Sequence, residues 1–263
     1  MADRTPDIDT STPHSARVWN HWLGGKDNYQ VDRELSARFS EVFPEIGDLA
    51  RTSRYFLARA VRYLAGEAGI RQFLDIGTGL PTADNTHEIA QRVAPESRVV
   101  YVDNDPLVLA HARALLTSTP EGVTTYVASD LHDPEAILRA AAETLDLSRP
   151  VALTLMQTVG HVQDYDEARS ILGRLLNALP PGSYLALNDS VDTHEENAAA
   201  TDRYNASGAV PYILRSPAAI AGFFEGLDLV DPGVVPLAQW RPDVADGDDA
   251  TNAAAYGGIG RKR

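Results

Sequence analysis

The sequence predicts an α/β fold, a mostly parallel sheet with helices on both faces. Short apolar strands alternate with helical segments between residues 71 and 188, and that alternation builds parallel sheets. The strands are nearly continuous in apolar character, as in Val151-Ala152-Leu153-Thr154-Leu155-Met156, which suits strands covered from both sides. A glycine turn closes the first of them, at the edge where open α/β sheets bind ligands.

The elements follow in order. Residues 1–13 are rich in Asp, Thr, Ser and Pro and are expected to form a disordered arm. Residues 14–66 are expected to form a helical cap. Its first half breaks at Gly24-Gly25, and residues 48–66 carry Leu49, Tyr55, Phe56, Ala60 and Leu64 at helical spacing. Residues 67–263 then hold the sheet. Arg71–Ile76 is the first strand, 85–94 a helix, and Arg98–Asp103 the second strand. Pro106 opens a helix to about Leu116, since proline fits the first helical turn. Val123–Val127 is the third strand, Pro134 opens a helix to about Leu145, and Val151–Met156 is the fourth strand. A helix over 164–179 and a strand within Gly182–Asn188 follow. The remainder reads as a helix within 190–208, a helix from Ser216-Pro217 to Glu225, and strands near Leu227–Val230 and Tyr256–Gly260.

Composition narrows the function. The 263 residues carry 23 Lys+Arg against 37 Asp+Glu, a net charge of −14, and no cysteine. Disulfides, thiolate zinc sites and cysteine nucleophiles are therefore excluded. The acidic balance argues against a nucleic-acid partner, because phosphate binding needs cationic surface. No apolar run approaches the ~18 residues of a membrane span, so no membrane partner is expected. The polar start Met1–Asp7 is unlike a secretory leader, and a cytoplasmic protein is the expectation. The acidic run Asp243–Asp249 lacks the calcium-loop pattern and reads as a solvated loop; no metal site is expected.

Phe73-Leu74-Asp75-Ile76-Gly77-Thr78-Gly79-Leu80-Pro81-Thr82 is the most informative segment. Gly77 and Gly79 let the backbone turn tightly and approach a ligand without a Cβ in the way. Asp103 ends the second strand, where a carboxylate accepts hydrogen bonds from ribose hydroxyls. Asp105 suits the N-cap ahead of Pro106 better. Asp130 follows the third strand, placed to receive an adenine amino group while Leu131 packs on the ring; helix capping near Pro134 is equally served by Asp133. No lysine follows the turn, which excludes a phosphate-cradling P-loop. Thr82 stands where the dinucleotide fingerprint has its third glycine. The acidic Asp75 suits a cationic ligand better than a diphosphate. Together these features favour S-adenosylmethionine (SAM) over NAD.

The chain resembles class I SAM-dependent methyltransferases and, more narrowly, the actinobacterial S-adenosyl methyltransferase family long catalogued as a domain of unknown function. The resemblance rests on Ala16–Tyr29 (ARVWNHWLGGKDNY), Val31–Glu34, Asp75–Thr82, Tyr101–Pro106, Trp240-Arg241-Pro242 and Tyr256-Gly257-Gly258. It implies a Rossmann-like sheet of seven strands with the last antiparallel. It implies SAM held by Asp75, Gly77, Thr78, Gly79 and Pro81, with Asp103 and Asn104 at the ribose, Asp130 and Leu131 at the adenine, and Gln157 beside them. Pro81 replaces the third glycine of most class I enzymes but matches the narrower family. The fourth-strand loop and the cap normally face the transferred methyl in this fold. That makes His161 and Tyr29 the candidate catalytic residues, with Asn28 and Asp189 as candidate contacts to a small-molecule methyl acceptor. Gly160 precedes His161 where a bulkier residue is expected.

Several residues carry a plainer reading. Trp19 and Trp22 share a helical face and are expected in the core. Lys26 and Asp27 are expected to pair on the surface, and Arg17 and Arg54, each of a type that can bind a carboxylate, are expected rather to lie on solvated faces. Two alternatives to a SAM-dependent methyltransferase remain open at this point: a non-catalytic SAM-binding regulator, and an NAD(P)-dependent oxidoreductase on the same sheet.

Overall fold

The computed structural model describes residues 8–115, 117–243 and 254–263. Three helices come first: α1 (Ser15–Trp22), α2 (Gln30–Ser40) and α3 (Ile46–Gly66). The alternating part follows as β1 (Gln72–Ile76), α4 (Thr86–Val93), β2 (Arg98–Asp103), α5 (Pro106–Leu115), β3 (Val123–Ala128), α6 (Pro134–Ala141), β4 (Ala152–Met156), α7 (Tyr165–Asn177) and β5 (Tyr184–Ser190). The chain closes with α8 (Glu195–Asn205), α9 (Pro217–Gly222), β6 (Leu227–Leu229), β7 (Val235–Pro236) and β8 (Ala255–Lys262).

The sheet order is β3-β2-β1-β4-β5-β8-β6, with β7 pairing β8. β1 to β5 run parallel, and β8 runs antiparallel to both β5 and β6. The expected seven-stranded, Rossmann-like sheet is present. The sequence reading missed the two-residue β7, which is too short to show a period. Strand order reverses between β1 and β4, so the carboxyl end of β1 lies at the switch point.

Alternation along the central strands sorts side chains to two faces. Phe73, Val99 and Tyr101 join the core under α3 and α4, together with Phe56, Leu64 and Trp240. Leu74, Ile76, Val100 and Val102 join the core under α6 and α7, with Ile137, Leu172 and Leu175. Helix starts follow the predicted chemistry. Asp105 Oδ1 accepts from Leu107 N at 2.8 Å, Asp133 Oδ1 from Ala136 N at 2.9 Å, and Ser216 Oγ from Ala219 N at 3.2 Å. α6 stops at Ala141 rather than Leu145; the chain tightens there into turn bonds, such as Glu143 N to Ala140 O.

The lead-in to α1 lies against the sheet edge: Ile8 packs on Leu80, Leu107 and Val108. Of the expected acidic loop, Asp243 pairs with Arg62, and its other residues lie outside the described ones. Among the described residues, no helix is long and apolar enough to cross a membrane, and no group of three His, Asp or Glu side chains is arranged to hold a metal ion.

A buried arginine clamps the last part of the chain to the third helix. Arg59 is 4% exposed and donates from Nε to Trp240 O at 2.8 Å and from Nη2 to Leu237 O at 2.7 Å. Arg59→Met would leave both carbonyls without those donors, at a cost of about 2–4 kcal/mol. Arg62→Met, which removes only an exposed pair, should cost less than about 1 kcal/mol. Urea unfolding of the two variants should separate them by that margin; equal midpoints would contradict the clamp.

Candidate functional site

The glycine turn is shaped by what each glycine must avoid. Gly77 has φ of 72°, and a Cβ there would stand 2.3 Å from Thr158 Oγ1. Its N–H donates to Val102 O at 2.8 Å. Gly79 has φ of 64°, and its N–H donates to Asp103 Oδ2 at 2.9 Å. A Cβ at Gly79 would meet nothing within 4 Å, because the turn opens onto a cavity of about 220 Å³.

Asp103 is 8% exposed. Its second oxygen, Oδ1, accepts from Asp105 N at 2.9 Å. Burial raises its pKa, although the two backbone N–H bonds and nearby His14 oppose the shift. Asp130 sits beyond β3. Burial pushes its carboxyl up, but bonds from His132 and Asn104 outweigh this and leave its pKa lowered. Asn104 Nδ2 donates to Asp130 Oδ2 at 3.0 Å, and Asp130 Oδ1 accepts from His132 N at 2.9 Å. Asp75 is buried; Thr86 donates to its Oδ2 at 2.6 Å. Burial raises the Asp75 pKa against the bond from Thr86 and the charge of Arg54.

Arg54 corrects the expectation of a solvated face. It lines the cavity from α3 and donates from Nη2 to Ala83 O at 3.2 Å and Asp84 O at 2.9 Å. Burial lowers its pKa, with Asp75 the leading charge in opposition. Arg17 corrects the same expectation. It is buried, with Nε 3.5 Å from Asp105 Oδ2 and 3.8 Å from Asp32 Oδ2. Fully buried Asp32 accepts from His14 N at 2.9 Å and Tyr29 N at 2.8 Å, joining the starts of α1 and α2.

The cap supplies an aromatic wall. Trp19 and Trp22 are half-buried and line the cavity rather than only filling the core; their rings meet edge-on at 5.7 Å. Trp22 also packs on Phe39 at 4.9 Å. The Leu23–Tyr29 loop turns around Asn20, whose Oδ1 accepts from Asp27 N and Asn28 Nδ2. A Cβ on Gly25 would stand 2.3 Å from that amide, which accounts for the second glycine of the pair. Asp27 lies 3.9 Å from His111, and its expected pairing with Lys26 is not formed.

The third wall follows β4. Gln157 has a positive φ of 56° and is held by three side chains. It donates to Asn188 Oδ1 at 3.1 Å, while Ser190 Oγ and the Tyr212 hydroxyl donate to its Oε1 at 2.7 and 2.9 Å. His161 Nδ1 lies 3.0 Å from Pro211 O. A carbonyl only accepts, so Nδ1 carries the proton and Nε2 is the free acceptor. Burial lowers the His161 pKa, keeping the ring neutral at pH 7. Its ring meets Tyr212 edge-on at 5.1 Å. Gly160 is explained by the same neighbour, since a Cβ there would stand 2.4 Å from the Tyr212 ring.

Of the residues expected at the site, Asp75, Gly77, Thr78, Gly79, Asp103, Asn104, Asp130, Leu131, Gln157 and His161 line this one cavity. Pro81, Asn28, Tyr29 and Asp189 lie outside its lining. The Tyr29 ring stacks under Arg17, whose guanidinium carbon is 5.4 Å from its centroid. The Asn28 amide is taken up by Asn20, Gly25 and Arg33. Asp189 is fully enclosed and bonded to the Tyr212 hydroxyl, and burial pushes its pKa up to about 7. Sequence reasoning missed His14 and Tyr212 as lining residues and set Arg54 on a solvated face. Only the helical spacing of Arg54 with the core face of α3 offered a signal, and it resembled an ordinary boundary position.

Comparison with known proteins identifies the family of the chain. The family model described as S-adenosyl methyltransferase matches residues 1–263. A DUF574 family protein from Streptomyces avermitilis has a crystal structure with a TM-score of 0.94 and 49% identity, over 98% of this chain and 100% of that chain. A proposed methyltransferase from Thermobifida fusca superposes with a TM-score of 0.88 and 39% identity, over 100% of both chains. A structure of PigF with SAH shares the fold at 16% identity and a TM-score of 0.52, over 92% of this chain and 70% of that chain. No curated protein matches the chain. The chain belongs to the S-adenosyl methyltransferase family and is a SAM-dependent methyltransferase.

Proposed function

We propose that the cavity between cap and sheet binds SAM and a small-molecule acceptor together, in a cytoplasmic enzyme, and that the strand-end residues divide the cofactor among them. The observation that carries this reading is Gly79: its absent Cβ leaves open the space that Asp103 faces. The donor set fits the ligand. Asp103 keeps lone pairs for ribose hydroxyls beyond the two it gives to backbone N–H groups. Asn104, Asp130 and Leu131 provide polar and apolar contacts for an adenine. Asp75 and Arg54 offer opposite charges to the ammonium and carboxylate of an amino-acid end. Gln157 borders the same space.

Bound SAM supplies an electrophilic methyl on a sulfonium. The protein's part is to orient the acceptor against it and keep water out. The cap roofs the cavity, which favours a small acceptor over a macromolecular one. His161 is the candidate proton acceptor: neutral, fixed by Pro211 O, and offering Nε2. Tyr29, Asn28 and Asp189 act behind this surface, by holding the cap loop and the Tyr212 hydroxyl.

Two measurements test these roles. Calorimetry should show SAM binding weakened by about 1.5–3 kcal/mol in Asp103→Ala, through loss of a charged acceptor. Asp103→Asn, which retains an oxygen for Gly79 N–H, should fall between; unchanged affinity in a folded Asp103→Ala protein would remove the ribose role. NMR titration of His161 should give a midpoint below the ordinary 6.5, because burial disfavours the imidazolium. The ring is then the neutral acceptor above that midpoint and loses this capacity as pH falls through it. A midpoint at or above 6.5 would contradict the burial that disfavours the imidazolium.

A further inference from the structure

The cavity is chemically divided. Its ionisable lining side chains gather at the sheet edge and the start of the cap, and each has a protein partner there: His14 with Asp105, Arg54 with the Ala83 and Asp84 carbonyls, Asp75 with Thr86, Asp103 with Gly79, and Asp130 with His132. From α1, α2, α8 and the loop after α8 the cavity takes a wall of Trp19, Trp22, Phe39, Tyr204 and Val210, together with the neutral polar Asn20, Asn197 and Thr201. No carboxylate, lysine or arginine stands among them. His161 lies where the two regions meet, with Tyr212 against its edge.

We infer that the acceptor is a neutral, flat, largely apolar hydroxyl compound of the phenol class, methylated on oxygen. The inference rests on the proposed SAM site. A planar ring has matched surfaces in the paired indoles and Phe39, because aromatic rings favour edge-on and offset contacts. A carboxylate or alkylammonium acceptor would enter charged and find no countercharge on that wall, so its desolvation would go uncompensated. A phenol enters neutral and needs only a proton acceptor. Its O–H bond breaks with the proton going to His161 Nε2, and the oxygen pair forms the new bond to the methyl carbon. The pair of the broken carbon–sulfur bond stays with sulfur, so a neutral thioether and an imidazolium remain. The negative charge of Asp130 favours that imidazolium.

The test uses the full chain saturated with S-adenosylhomocysteine and three probes of one shape: 2-naphthol, 2-naphthoate and 2-naphthylmethylammonium. Calorimetry should show 2-naphthol bound about tenfold or more tightly than either charged probe. Trp19→Leu should weaken 2-naphthol by about tenfold and leave S-adenosylhomocysteine affinity near wild type. His161→Gln should retain 2-naphthol binding but fail to form 2-methoxynaphthalene from SAM, a product the wild-type chain forms and mass spectrometry detects. Equal or tighter binding of a charged probe would overturn the inference, as would failure of 2-naphthol to bind a chain that does bind S-adenosylhomocysteine. Loss of S-adenosylhomocysteine binding in the wild-type chain would instead overturn the cofactor site beneath it.

Discussion

The carboxylate of Asp103 is the constraint from which the rest of the site is arranged. One oxygen fixes the Gly79 N–H and the other takes the Asp105 N–H. Asp105 then caps α5 through Leu107 N and faces His14 and Arg17 of the cap. Arg17 continues to Asp32, which holds the residues that lead into α1 and α2. A single run of charged and hydrogen-bonded groups therefore joins the glycine turn to both leading cap helices. Buried charges are costly alone, and removing one partner leaves the other uncompensated. Here each sits within reach of an opposite charge or a backbone donor, so the cap's position and the turn's shape are mutually dependent.

The small residues of the site solve three different problems. Gly77 is required both by its left-handed backbone and by Thr158, which occupies the Cβ position. Gly79 has the same backbone need but no neighbour, because its missing side chain leaves room for a ligand. Gly160 has ordinary backbone and instead gives way to Tyr212, whose ring then sets the edge of His161. The departure at Gly160, unexpected from the sequence alone, is thus a packing exchange: the volume lost after β4 is returned by a ring from the loop that follows α8.

The parts legible in the sequence were those governed by local rules. Strand alternation, the proline-led helices, the caps at Asp105 and Asp133, and the glycine turn with its strand-end acids all follow from short windows of residues, and the described structure contains them. What escaped depends on distant partners. Arg17 and Arg54 look like solvated helix cations until Asp32, Asp105 and Asp75 arrive from elsewhere in the chain. Trp19 and Trp22 have core spacing, yet a cap that roofs a cavity has an inner face that is neither core nor surface. Tyr212 lies in a loop without period, and only the gap above Gly160 gives it a place. Tyr29 and Asn28 belong to the distinctive LGGKDNY block, but their polar atoms serve the loop itself.

The acidic strand ends also acquire a more exact sense. From the sequence, three carboxylates at successive strand ends suggest direct attraction of a cationic ligand. In the fold each first has a structural partner: Thr86 for Asp75, Gly79 and Asp105 for Asp103, Asn104 and His132 for Asp130. Asp75 and Asp103 are held in an environment that raises their pKa, whereas exposed hydrogen-bonding partners lower that of Asp130. Carboxylates anchored in this way need little rearrangement to accept a ligand's donors, since the conformational entropy of fixing them is already met in folding. The same economy applies across the cavity, where Pro211 O sets the His161 tautomer and Tyr212 its ring plane. On the proposed reading, preorganisation at both ends leaves the aromatic cap wall to set which acceptor is received.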